Sequence, residues 1–246
     1  MIEIGGVKIG PDEPCRFIAE ISNNHNGEQT RAAALVEAAV LAGADFVKFQ
    51  AYIPQEIVDL RGDGVEKEWA DQGYTAHSLF TKARTPLEWL PTLFALTRGL
   101  GAVPFASVFG PESLAAVLAL GAPALKIAAL DIGSDFVDEV RQCDEVLIAS
   151  THGSERLPWA DLTLHCPPGY PQDPDEIDHD NFGTTFDGLS YHGTSMIPPL
   201  TAALHGAQLI ECHFQLEAEP SELEANVSLD ELTFRRMVDA CREQGR

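Results

Sequence analysis

Apolar, β-favouring runs recur eight times along the chain: RFIAEIS (16–22), DFVKFQAY (45–52), AVPFASVF (102–109), ALKIAAL (124–130), EVLIAST (145–151), DLTLHCP (161–167), GLSYHG (188–193) and LIECHF (209–214). Most are nearly continuously apolar, the pattern of parallel strands covered on both faces. Between them lie segments with helical spacing and capping signals: EQTRAAALVEAAVLAGA (28–44), PLEWLPTLFALTRGLG (86–101), PESLAAVLALGA (111–122), SDFVDEVRQC (134–143) and finally SLDELTFRRMVDACREQ (228–244). The Gly-rich opening, residues 1–10, predicts a short N-terminal hairpin. Eight strand–helix repeats match an α/β fold of the (β/α)8 TIM barrel type, whose usual size is roughly 250 residues. A doubly wound sheet is the runner-up. No linker or repeat breaks the pattern, so a single domain spanning 1–246 is expected. Two stretches depart from it, 53–85 and 167–187, and both follow strands. In a barrel they are long loops on the C-terminal face, where active sites are built, and at least one is expected to fold over the mouth.

Charge narrows the possible partners. Against 16 Lys+Arg stand 38 Asp+Glu, a formal net charge of −22, in a chain that is 45% hydrophobic. Such a surface repels polyphosphate backbones and anionic lipid, so no nucleic acid and no membrane partner is expected, and an anionic ligand needs a local basic pocket. No apolar run approaches the roughly 20 residues of a membrane span, and MIEIGGVKIG lacks signal-peptide features; the expected location is cytoplasmic. Five cysteines without CxxC spacing, Cys15, Cys143, Cys166, Cys212 and Cys241, read as free thiols.

Polar residues inside otherwise apolar strands carry the chemistry. Of only five lysines, Lys48 and Lys126 lie within such strands. Burying a lone ammonium costs several kcal/mol unless it is paired, so the two either supply the basic pocket or meet carboxylates for structure alone. His192 and His213 end the seventh and eighth strands, which in a barrel are neighbours about 4.8 Å apart, close enough for both imidazoles to share one divalent metal. His165 can face the same mouth, and His25 and His152 each follow a strand. Glu20 is a buried acid whose pKa rises unless it meets a lysine or a metal. The turn SNNHNG (22–27) suits a phosphate or a sugar hydroxyl by composition, and helix capping equally. Ser107, Ser150, Thr151 and Ser190 close strands and can donate to an oxyanion or cap the next helix. Glu224 shares its loop with Glu217, Glu219 and Glu222, and composition alone reads all four as a solvated acidic loop. No GxSxG, P-loop or GxGxxG occurs in a supporting context, which leaves serine hydrolysis and dinucleotide binding unsupported.

In order and spacing, FIAEISNNHNG, AGADFVKFQ, LKIAALD, LIAST, LHCPPGYP, GLSYHG and GAQLIECHF resemble the catalytic barrel of the sialic acid synthases, from residue 16 to about 240. Those enzymes condense phosphoenolpyruvate with N-acetylmannosamine or a related aldose, with a divalent metal, to give a 2-keto-3-deoxy sugar acid. The resemblance implies that Glu20, Lys48, Lys126 and Glu224 are catalytic, Glu224 being a longer replacement for an aspartate. It implies that Asn24, His25, Gln50, Ser150, Thr151, Ser190 and Tyr191 bind substrate, and that His192 and His213 hold Mn2+ or Mg2+.

Departures from the family pattern are Ala129 and Val103 in place of hydroxyls, Pro168 for an Asn or Ser, Tyr191 for an aspartate, Cys212 for a basic residue and His152 for a glycine. The first three remove donors expected in the phosphoenolpyruvate pocket, each worth about 1.5–3 kcal/mol toward a charged group. The antifreeze-like domain that helps cover a partner subunit's site in these synthases has no counterpart in the 246 residues. The expected function is therefore a metal-dependent condensation of phosphoenolpyruvate with a sugar-like aldehyde, in a homodimer by analogy. Its rivals are a divergent metal-dependent aldolase or lyase that does not use phosphoenolpyruvate, and a non-catalytic metabolite-binding barrel.

Overall fold

The computed structural model of the chain describes residues 1–65 and 67–245, with the backbone but not the side chain of Glu68. Glu66, within the 53–85 stretch, and Arg246 lie outside the described residues. The opening is a hairpin of β1 (Ile2–Ile4) and β2 (Val7–Ile9). Gly5 and Gly6 make its two-residue turn with φ of 57° and 89°, a left-handed pair that only glycine adopts without strain.

Eight parallel strands follow: β3 (Arg16–Glu20), β4 (Phe46–Ala51), β5 (Val103–Val108), β6 (Ala124–Ile127), β7 (Val146–Thr151), β8 (Leu162–His165), β9 (Gly188–Tyr191) and β10 (Leu209–Gln215). Each pairs with the next, and β10 pairs with both β9 and β3, which closes the sheet into a barrel. All eight lie within the apolar runs read from the sequence, with β10 one residue longer. A short strand, β11 (Ser228–Asp230), runs parallel to the C-terminal half of β10.

Strand alternation sorts the side chains. Ile18, Phe46, Val103, Phe105, Ala124, Ile148, Leu162, Leu164 and Leu209 point inward and form one apolar cluster with Ile4 and Ile9 of the hairpin, which plugs the N-terminal end. Their sequence neighbours, among them Phe17, Val47, Ala106, Leu125, Leu147, Leu189 and Ile210, point outward into the larger cluster beneath the helices. These helices are α1 (Gln29–Leu41), α5 (Leu90–Gly99), α6 (Pro111–Ala119), α7 (Phe136–Val140), α8 (Ile197–Leu204) and α9 (Glu231–Glu243).

The structure revises the sequence reading in three places. The 53–85 stretch is not a loop: it holds α2 (Pro54–Arg61), α3 (Lys67–Asp71) and α4 (Ala76–Ala83). Such short helices hide from periodicity and depend on caps and tertiary ties. Pro54 occupies the first turn of α2, and Thr75 caps α4 by accepting from the Ser78 N–H at 3.2 Å. Glu56 of α2 accepts the Glu112 and Ser113 N–H groups of α6 at 2.7 and 3.2 Å. Arg61 grips Asp131, after β6, through two bonds of 2.8 and 2.7 Å. Secondly, the described connection from β7 to β8 has no helix and that from β8 to β9 only two single 3-10 turns, so the strand–helix alternation lapses there. Thirdly, the last helix starts at Glu231, because Ser228–Asp230 is drawn into pairing with β10. Among the described residues, no helix is long and apolar enough to cross a membrane.

Candidate active site

The alternation that fills the lower barrel with apolar groups places a charged ring at the next inward level. Glu20 of β3, Lys48 of β4, Ser107 of β5, Lys126 of β6, Ser150 of β7, Ser190 of β9 and Glu211 and His213 of β10 are all buried there. Register aligns them: His213 lies beside Glu20, Glu20 beside Lys48, Ser107 beside Lys126, and Ser190 beside Glu211.

Lys48 Nζ sits 2.5 Å from Glu20 Oε2 and 3.4 Å from Glu211 Oε2. Lys126 Nζ is 2.7 Å from Ser150 Oγ and 3.9 Å from Glu211 Oε1, while Ser190 Oγ donates to Glu211 at 2.8 Å. The two carboxylates therefore lean on Lys48 and leave Lys126 with the weaker partner. Burial drives Lys126 below the usual lysine range, whereas at Lys48 Glu20 and Glu211 outweigh burial and raise the pKa. Burial raises Glu20, with Lys48 and His213 opposing. Glu211 is also pushed up by burial, but Lys126 and Lys48 prevail and bring it to about 2. Glu224 is held at about 2 because His213 and the hydrogen bonds it receives overcome its burial. Of the three acids, Glu20 is the one poised to carry a proton; the other two are fixed carboxylates.

Above the ring, the C-terminal ends of the strands open into a cavity of about 920 Å³. Both irregular stretches roof it, the first through residues including Arg61, Trp69 and Phe80, the second through Gly169 and Tyr170. The Tyr170 hydroxyl donates to Glu224 Oε1, and Glu224 Oε2 takes His213 Nδ1 at 3.1 Å. Lys82 of α4 meets Glu222 at 3.0 Å, joining the roof to the loop that carries Glu224.

Glu20 and the cavity-lining Lys48, Gln50, Lys126, Ser150, Ser190, His192, His213 and Glu224 are thus brought together. Ser22, whose N–H donates to Glu20 at 2.8 Å, also links Glu20 to Gln50, since its hydroxyl accepts the Gln50 amide at 2.9 Å. Besides Glu20, four of the expected site residues do not line the cavity. Tyr191 falls between the inward Ser190 and His192, so alternation turns it outward into the apolar layer with Cys212. Thr151, one step past Ser150, accepts the Gly153 N–H at 2.9 Å and shapes a turn. The Asn24 amide binds Phe214 O at 2.8 Å and Ser228 Oγ at 3.1 Å, tying the first turn to the last strand; its neighbour Asn23 reaches the cavity instead. His25 is buried between the Gly27 N–H at 3.0 Å and Thr85 Oγ1 at 3.1 Å, and burial lowers its pKa to about 4. His165 also turns outward, its ring stacked 4.8 Å from Phe186.

Of the three departures expected to remove donors, only Ala129 lines the cavity. Val103 belongs to the apolar plug at the opposite end, and Pro168 is exposed. His152 does reach the cavity, where its Nδ1 donates to Cys166 O at 2.6 Å.

Sequence reasoning missed Glu211, Tyr170, Arg61 and Gln172. Counting in twos from His213 finds Glu211. The others come from loops and short helices that no periodicity marks.

The ring centroids of the two imidazoles are 5.0 Å apart, a spacing at which both could reach one divalent cation. His213, with Nδ1 on Glu224, has the carboxylate–histidine arrangement typical of metal ligands. His192 is kept neutral, burial and then His213 lowering its pKa to about 3. Two nitrogens make an open site, not a closed structural one. Among the described residues no group of three or more His, Cys, Asp or Glu is arranged around a metal position.

Comparison with known proteins bears on the family and the fold. The profile of the NeuB family matches residues 35–158 and 159–245. A pseudaminic acid synthase from Helicobacter pylori is 30% identical over 260 residues, covering 94% of this chain and 74% of that one. The spore coat polysaccharide biosynthesis protein SpsE of Bacillus subtilis is 28% identical over 269 residues, covering 98% and 70%. Among solved structures, N-acetylneuraminic acid synthetase from Leptospira borgpetersenii, in complex with citrate, superposes with a TM-score of 0.83 at 23% identity, covering 98% of this chain and 87% of that one. With the family profile spanning most of a closed parallel barrel, this chain belongs to the NeuB family.

Proposed function

We propose that the protein condenses phosphoenolpyruvate with a sugar-like aldehyde to give a 2-keto-3-deoxy sugar acid and phosphate, in a reaction that depends on a divalent cation. The observation that carries this reading is the buried ring in which Lys48, Lys126, Glu20 and Glu211 meet beside His213, whose imidazole lies 5.0 Å from that of His192.

Lys126, backed by Ser150, gives the anionic donor a cationic wall inside an acidic protein, and His152 follows Ser150 on the same strand end. Lys48 lies between that wall and Glu20, where it neutralises carboxylate charge and keeps Glu20 in place. Held by His192 and His213, Mn2+ or Mg2+ would polarise the aldehyde oxygen as a Lewis acid. Carbon–carbon bond formation joins the enol carbon to the aldehyde carbon, water adds at C2, and phosphate leaves. Glu20, the acid raised by burial, exchanges the proton that these steps require. Glu224 stays ionised and orients His213, while the Tyr170 hydroxyl holds Glu224. The roof of α2, α3, α4 and Tyr170 limits water at the reacting carbons.

Incubation with phosphoenolpyruvate, Mn2+ and a panel of N-acylated aldoses tests the reading. Phosphate release that requires the aldose is the expected result. No aldose-dependent release across the panel would overturn it. A second reading, an aldolase or lyase acting without phosphoenolpyruvate, draws on Ala128, Ala129 and Leu130, which give the cavity wall just after Lys126 an apolar face.

A further inference from the structure

We infer that Gln172 is a positioning residue that decides which ring nitrogen of His192 carries the proton, so that His192 offers the cavity an N–H and the chain holds a divalent cation weakly. The inference deepens the cation-dependent reading above and relies on it only for the identity of the ligand.

Three contacts join the two residues. The Gln172 backbone N–H donates to His192 O at 2.8 Å, the His192 backbone N–H donates to Gln172 Oε1 at 2.9 Å, and Gln172 Nε2 lies 3.1 Å from His192 Nδ1. The amide has one possible orientation. Its Nε2 faces Pro167 O at 2.8 Å and Ser190 O at 3.2 Å, so turning it would set an oxygen against two carbonyl oxygens and a nitrogen against the His192 N–H. His192 Nδ1 therefore abuts a group that can donate but cannot accept. A proton on Nδ1 would find only a poor acceptor there, because its other neighbour, Cys166 Sγ at 4.0 Å, is a weakly accepting sulfur that already takes the Gln172 amide at 3.4 Å. The neutral ring carries its proton on Nε2.

His213 has the opposite polarity. Its Nδ1 faces Glu224 Oε2, an acceptor, at 3.1 Å. Two imidazoles with centroids 5.0 Å apart thus differ in what they present: His213 can direct an Nε2 lone pair outward, and His192 an N–H. A cation that needs both lone pairs must move the His192 proton to Nδ1, against Gln172. An oxygen of a bound substrate, by contrast, gains a donor from His192 at once. Gln172 is buried behind His192 and does not line the cavity, so it acts only through that ring.

The test begins with the wild-type protein without added metal. Long-range 15N–1H correlation of the histidine rings, with His192 assigned by its loss in His192→Gln, is expected to show the Nε2–H form. An Nδ1–H form, or a doubly protonated ring at neutral pH, overturns the inference. In Gln172→Glu a carboxylate replaces the amide and can accept a proton from Nδ1. The ring is then expected to switch tautomer, and calorimetric titration with Mn2+ alone to show about tenfold tighter binding, the scale of effects from groups behind a metal ligand. Unchanged or weaker Mn2+ binding in a variant with wild-type circular dichroism overturns it. If that variant does not fold, the wild-type ring spectrum alone decides. Both readouts are independent of whether condensation occurs.

Discussion

The two ends of one barrel carry opposite chemistry on the same eight strands. At the N-terminal level Ile18, Phe46, Phe105, Ala124, Ile148, Leu164 and Leu209 fill the interior, and the hairpin closes it with Ile4 and Ile9. Two residues further along each strand stand Glu20, Lys48, Ser107, Lys126, Ser150, Cys166 and Glu211. A step of two residues, about 6.6 Å, separates a layer that stabilises the fold from a layer assembled for chemistry. Apolar burial gives roughly 25 cal/mol per Å² with no partner required, whereas buried ion pairs hardly offset their own desolvation. The lower level should therefore govern stability and the upper level turnover.

The largest expected effect breaks the upper level alone. Glu20→Gln should lower the rate of aldose-dependent phosphate release by the folded protein about 10²- to 10⁴-fold, the usual contribution of a general acid or base, with Glu211 remaining as a partner for Lys48. A rate loss below tenfold would remove Glu20 from the chemistry. The mirror experiment is Phe105→Ala, which should cost about 3–5 kcal/mol in denaturant unfolding while the folded fraction keeps its KM.

His25 sharpens the boundary, being fully buried yet outside the cavity. Its folded pKa of about 4 lies below the ordinary 6.5. Between these values the unfolded chain binds more protons, so stability is complete above pH 6.5 and falls as the pH drops toward 4, by on the order of 3 kcal/mol. Chemical denaturation from pH 7 to 4 should show a flatter pH dependence for His25→Gln, with identical slopes refuting the assignment. The smallest effect distinguishes the two ends directly. Ala129→Ser restores a donor on the cavity wall and should lower KM for phosphoenolpyruvate about tenfold or more, the low end of a single hydrogen bond to a charged group. Val103→Thr, in the apolar plug, should leave KM unchanged.

Strand positions were legible because most of the barrel strands are nearly continuous apolar runs, and such a run survives any small error in its ends. Lys48, Lys126 and Glu20 were legible for the complementary reason: a charge inside such a run requires a partner. What could not be read was direction. Tyr191 and His192 are adjacent in sequence, yet one enters the outer apolar layer and the other the cavity. Similarly, Val103 looked like a lost ligand donor only because distance along the strand from the mouth was unknown. Helix α2 escaped because its ties, Glu56 capping α6 and Arg61 gripping Asp131, join residues 56 to 70 positions apart, and α3 and α4 escaped because they are too short to show a period.

By itself, then, the sequence determined the repeating strand pattern, the barrel it closes into and the charged residues that must meet inside it, since local apolarity and the cost of an unpaired buried charge act on each segment alone. Only the tertiary structure decided which of those residues face the cavity, which carboxyl burial raises and which group meets Nδ1 of His192. Those outcomes depend on strand register and on groups brought from distant loops, and no segment encodes them alone.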